Sequence, residues 1–185
     1  MNLRLAFSTG RIVLMVALTS LLLLAARHSS AQAAAPQACS APEYRQFDFW
    51  IGDWDAFEVS DPTTISAHIR IDPILGGCVL KETYEGASGA TGQSFSIYDK
   101  SRGVWHQTWV TNRGTLLTIE GTLQDGAMVL TGSDRTAEGK PRLVRGIWKT
   151  DSLGVRETAA TSTDNGATWT PWFDLLFRPR AKAAK

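Results

Sequence analysis

Six residues set in the middle of apolar runs carry most of the chemistry open to this chain: Glu82, Tyr84, Trp105, Gln107, Trp109 and Arg145. In an extended strand, residues two apart share a face. Trp105, Gln107 and Trp109 therefore form one row, and Glu82 with Tyr84 forms another. Indole and phenol rings offer apolar walls, while sparse Gln, Glu and Arg groups fix orientation; that is the makeup of a small-ligand pocket. Charged groups enclosed in such a pocket would need one another, because an unpaired buried charge is costly. The expectation is a hydrophobic or amphipathic small-molecule ligand.

Two other readings compete with it. A hydrolase or isomerase could use Glu82 or Glu157 as acid/base, with Arg145 or Arg156 holding an anionic substrate. A pair of carboxylates for glycoside chemistry could be drawn from Glu82, Glu120, Glu157 and Asp174. No G-x-S-x-G nucleophile elbow occurs, so no catalytic residue is assigned and the reading leans away from an enzyme. The third possibility is a filled barrel serving as a structural or interaction domain. Past the N-terminal segment only His68 and His106 could ligate a metal or haem, and no H-E-x-x-H or C-x-x-C spacing occurs. Neither a metal nor a cofactor is expected.

These residues need strands to position them, and the chain supplies candidates at turn-punctuated intervals. The strands expected are Phe47–Val59, Ile65–Ile71, Cys78–Tyr84, Gln93–Tyr98, Val104–Thr111, Thr115–Leu123, Ala127–Ser133, Arg142–Lys149, Val155–Ser162 and Thr168–Arg178. The connectors are short and contain glycine, such as Asn112-Arg113-Gly114 and Gln124-Asp125-Gly126, which join antiparallel neighbours. Parallel strands would need long crossovers. The pattern predicts an all-β fold, an antiparallel up-and-down barrel of about 8–10 strands.

Four features speak to the scaffold. Gly52-Asp53-Trp54 opens the first strand, where a small residue lets the chain bend and the indole plugs one end of the barrel. Arg178, or Arg180, on the last strand is placed to lie over Trp54 as a cation–π partner. Ser162-Thr163-Asp164-Asn165-Gly166-Ala167-Thr168-Trp169 has the Asp-box pattern S-x-D-x-G-x-T-W. A single copy reads as a rigid hairpin, with Asp164 capping turn amides, Gly166 supplying positive φ and Trp169 packing beneath. Cys39 and Cys78 most simply form one disulfide in an oxidising compartment.

The first residues read as an export leader. Arg4 and Arg11 precede the apolar run Ile12–Ala26, and small residues at Ser29, Ala31 and Ala33 suit cleavage. The division expected is a leader over 1–33, an arm over 34–46, one barrel over 47–180 and a frayed tail over 181–185. Location would be periplasmic or secreted. Losing the three arginines of residues 1–31, which hold no acid, takes the formal charge from +1 to −2. That leaves no basic surplus for a nucleic acid. A monomer is expected, detached from the membrane once the leader is cleaved.

The opening Gly-x-Trp and the meander resemble the start of a calycin, or lipocalin-like, barrel. FDFWIGDWD (47–55), PILGGCVLKETYEG (73–86), Tyr98-Asp99, Trp105–Trp109, Gly126–Leu130 and STDNGATW (162–169) together resemble an exported bacterial family whose domain has no assigned function. The resemblance runs from about Phe47 to Phe177. It implies export and a calycin-like fold, and no reaction. Haem barrels of the nitrobindin type are similar in size and strand content, but they use a late histidine, and none follows His106 here.

Overall fold

Runs rich in β-branched and aromatic residues, separated by glycine turns, form ten strands in the computed structural model, which describes residues 38–181. These are β1 (Gly52–Glu58), β2 (Asp61–Ile74), β3 (Val79–Gly86), β4 (Thr91–Asp99) and β5 (Val104–Thr111). The chain continues as β6 (Leu116–Gln124), β7 (Ala127–Arg135), β8 (Pro141–Asp151), β9 (Gly154–Ser162) and β10 (Thr170–Pro179). Each pairs antiparallel with its neighbours in sequence, and β10 returns to β1, closing an up-and-down barrel. Closure leaves no edge strand. The leader reading, the first residues of the arm and the tail from 182 onward lie outside the described residues.

The first expected strand is shorter than its hydrophobic pattern suggests. Phe47–Trp50 is not extended: single turns of 3-10 helix cover Pro42–Arg45 and Asp48–Trp50. Residues three apart eclipse in such a turn, so the rings of Phe47 and Trp50 point the same way and stack with centroids 4.9 Å apart. Both are fully buried; Phe47 meets Trp105 and Trp148 edge-on, and Trp50 meets Trp148 at a tilt. The Trp54 indole N–H donates to the Trp50 carbonyl at 3.0 Å, tying this plug to β1. Gly52 is needed for that arrangement, since a Cβ there would sit 2.6 Å from the Trp54 indole.

The plug seals the barrel end that carries the β2–β3, β4–β5, β6–β7 and β8–β9 turns. Cys39 and Cys78 are joined in a disulfide that pins the arm to the start of β3. Arg45 adds a salt bridge to Asp48 and a hydrogen bond to the Gly77 carbonyl. The disulfide accords with folding in an oxidising environment. Among the described residues, no helix is long and apolar enough to cross a membrane.

Arg178 does not reach Trp54. It pairs in register with Asp55, whereas Trp54 pairs with Pro179. Cross-strand partners share a face, so Arg178 stands outside while Trp54 points in. Its guanidinium lies over the Phe57 ring, 4.4 Å from the centroid, and donates to the Pro62 carbonyl. Arg180 is also outside, 3.8 Å from Asp55.

Candidate functional site

Register separates the two faces of every strand. Starting from buried Trp54 and Ala56, the inward set runs through Ile69 and Ile71 on β2, then Leu80, Glu82 and Tyr84 on β3. It passes to Gly92, Ser94, Ser96 and Tyr98 on β4, and Trp105, Gln107 and Trp109 on β5. It continues through Ile119, Leu130, Val144, Gly146 and Trp148 to Glu157, Ala159 and Thr161 on β9. Leu175 and Phe177 on β10 complete the ring, with Glu58 facing Leu175.

Within this interior, Glu82 and Tyr84 of β3 and Gln107 and Trp109 of β5 flank the small inward residues of β4. Trp109 lies edge-on to Tyr84, centroids 5.7 Å apart, and its ring occupies the space over Gly92, where a Cβ would come within 2.4 Å. Ser94 donates its hydroxyl proton to Glu82 at 2.7 Å, and the Gln107 amide donates to the Ser96 hydroxyl at 3.1 Å. Glu82 and Gln107 are nearly sealed, at 7% and 4% exposure. Tyr84, Trp109, Leu117, Thr161 and Glu157 keep partial solvent contact although all face inward. The end opposite the plug is therefore open to water.

Two expected ligand residues lie elsewhere. Trp105 faces inward but belongs to the plug: it is 2% exposed, packs against Phe47 and donates from its indole to Gln46. Arg145 is on the outer wall, because it alternates with the buried Val144 and Gly146. Its guanidinium stacks on Trp169, 4.0 Å from the ring centroid. Arg156 is outside as well, in a bidentate pair with Asp174. No arginine from this group faces an anionic substrate inside the barrel. Arg145→Ala should accordingly leave interior binding unchanged and lower stability by about 1 kcal/mol, the scale of a lost cation–π contact. Ligand titration alongside urea unfolding checks both halves.

Trp169 belongs to the hairpin that the Asp-box pattern describes. Asp164 accepts from the Thr168 amide and hydroxyl and from Ser162, which hold its carboxyl down at about 2. The Trp169 indole donates to the Gly166 carbonyl, and Gly166 adopts φ of 88°. Both histidines stand on the outer face: His68 meets Asp55 at 2.7 Å, and His106 bridges Glu120 and Thr108. Neither projects into the barrel where an enclosed haem would sit. Of the four carboxylates considered for glycoside chemistry, Glu120 and Asp174 are external.

Glu82 and Glu157 are internal and close enough to repel. Burial, opposed by the Ser94 hydrogen bond, pushes Glu82 up to about 7. Burial and then the Glu82 charge hold Glu157 well above the usual carboxyl range. Tyr84 is raised by burial and by Glu82, Glu157 and Glu58, against a smaller opposing effect of Arg113 in the β5–β6 loop. Glu58, Ser94 and Ser96 were missed in the sequence, although Glu58 keeps phase with Trp54 and Ala56. The two serines sit at alternate positions of β4, a spacing that marks small polar residues opposite larger inward side chains. No protein-family model matches the chain, and no curated protein matches its sequence.

Proposed function

We propose that this barrel is an exported binding module for a small, partly hydrophobic ligand held at the end opposite the plug. The observation that carries the reading is the asymmetry of the interior. One end is packed by Phe47, Trp50, Trp105 and Trp148, whereas the other presents Tyr84, Trp109 and Glu157 to solvent with the polar Glu82 and Gln107 behind them. A barrel of this strand number has room for packed side chains or one small molecule. Aromatic walls would supply apolar contact, and Gln107 and Glu82 would set orientation. The disulfide supports a periplasmic or extracellular site of action.

Native mass spectrometry of protein purified from its own host, with an absorption spectrum, tests the reading. A retained small molecule that is lost on Trp109→Ala is expected. Protein that retains nothing and shows no indole fluorescence change across a library of small amphipathic compounds would sink it.

A second reading has one specific support. Glu82 and Glu157, both displaced upward, share the open interior, and paired carboxyl groups tuned toward neutrality are the equipment of acid–base catalysis. Turnover of a bound compound that Glu157→Gln abolishes without weakening binding would favour a hydrolase or isomerase.

A further inference from the structure

Several carboxylates on the outer wall have cationic neighbours. Asp99 and Glu120 share Arg102, Asp174 holds Arg156, Asp72 meets Arg70 and Asp55 meets Arg180. Asp134 and Arg142, at the rim, satisfy each other through two short contacts. The three carboxylates that face into the open half have no such partner. Among the described residues, Glu58, Glu82 and Glu157 form no salt bridge. Glu82 is bonded through one oxygen only, to Ser94. Outer acids without a cation, such as Asp53 and Glu85, stand in solvent, whereas Glu82 is nearly sealed inside the barrel.

A second observation points to the same place. Trp148, 3% exposed and the cross-strand partner of Glu157, has an indole N–H with no hydrogen-bond partner. It lies beside the Glu157 carboxyl and favours that group's charged form. A buried donor left without a partner is costly. This one is placed to serve the ionised form of Glu157, a form that a cation beside the carboxyl would also favour. The Tyr84 and Trp109 rings line the same space, and aromatic faces attract organic cations.

We propose that the ligand of this barrel is an organic amine whose protonated nitrogen is held between Glu82 and Glu157, with its apolar portion against Tyr84 and Trp109. The proposal rests on the small-ligand reading above and names the charge of that ligand. Its ammonium group would donate to both carboxylates, replacing the counter-ion that the fold omits. Glu58 on β1 would add to the negative potential along the entry path. Arg113, in the β5–β6 loop, is the cation whose charge acts on Tyr84 and lies on the rim side of the site.

The test uses three probes with the same ring and nearly equal length: 2-phenylethylamine, 2-phenylethanol and 3-phenylpropanoate. Each is titrated by calorimetry into the full chain in its oxidised form at pH 8. The amine should bind at least tenfold more tightly than the alcohol, and the carboxylate should bind worst. In Glu82→Gln/Glu157→Gln the amine should lose that advantage, while the alcohol binds as before; circular dichroism and the unchanged alcohol affinity report an intact barrel. Acidification to pH 5 should weaken the amine alone, because it must displace protons from the two carboxyl groups.

Alcohol or carboxylate binding as tight as the amine would overturn the charge assignment and leave the small-ligand reading standing. Tight binding of calcium or magnesium alone, lost in the same double variant, would overturn it in favour of a metal ion. If none of the three probes binds and Trp109 fluorescence never responds, both readings fail.

Discussion

Glu82→Gln is expected to make the protein more stable at pH 8, with Tm higher by roughly 5–10 °C, and to change it little at pH 5. An isolated glutamate titrates at 4.5, and burial moves Glu82 to about 7. Between those values the folded state holds a proton that the unfolded state has released, so stability rises as pH falls through the window. Above it the fold bears the whole cost of a buried carboxylate, about 3 kcal/mol for a displacement of this size. A glutamine keeps the shape and a polar contact for Ser94 without that cost, and a domain of this length converts each kcal/mol into about 2–4 °C.

Carboxyl groups held low by neighbours act in a different range. Asp99 and Glu120 are lowered chiefly by hydrogen bonds from Ser101 and from Arg102, and Asp164 by Thr168. Their stabilising contributions are lost only in more acidic solution, below the usual carboxylate range, so they do not mask the difference between wild type and variant from pH 5 to 8. Thermal melts of both proteins across that range decide the matter. Equal Tm values at pH 8 would mean that Glu82 is solvated or neutralised in the fold. That cost is one reason for placing Glu82 in the proposed binding site.

Removing the disulfide should have an effect of similar size and opposite sign. Cys39 and Cys78 are 39 residues apart. On the chain-entropy model, freeing that loop in the unfolded state costs about 4 kcal/mol, which corresponds to a Tm lower by about 10 °C. The loss should concentrate at the plug, because the bond fixes the arm whose following turns carry Phe47 and Trp50. Cys39→Ser/Cys78→Ser should therefore lose near-ultraviolet dichroism from the clustered Trp50, Trp105 and Trp148 before its far-ultraviolet strand signal melts. Coincident loss of both signals at the wild-type temperature would show that the arm is held by packing alone.

How much of this was legible beforehand depends on the range of the interaction involved. Turn residues and alternation are local, so all ten strands, the antiparallel order and the Asp-box hairpin could be read from the chain. Val104–Thr111 has the limits its pattern suggested. The half-cystine pair was legible by number and compartment. Phe47–Trp50 misled because aromatic residues suit a strand as well as a 3-10 turn, and only the place they fill inside the barrel chooses between them.

Face assignment was the harder problem. Alternation says that Arg145 and Trp148 lie on opposite sides of β8, and that Arg156 and Glu157 lie on opposite sides of β9. It does not say which side is inside when both carry large or charged groups. Closure settles that, since the inward row must continue from strand to strand through Trp54, Ile69, Tyr84, Trp109 and Val144 to Ala159. Arg145, Arg156 and Arg178 are thereby turned outward, and Trp105 is given to the plug. A ten-strand meander, its turns and the pairing of two cysteines were within reach of local pattern and cysteine number. That Glu82 of β3 and Glu157 of β9, strands not adjacent in the sheet, act on one another without a salt-bridge partner follows from closure of the barrel, because the influence runs through its interior and leaves no trace in spacing along the chain.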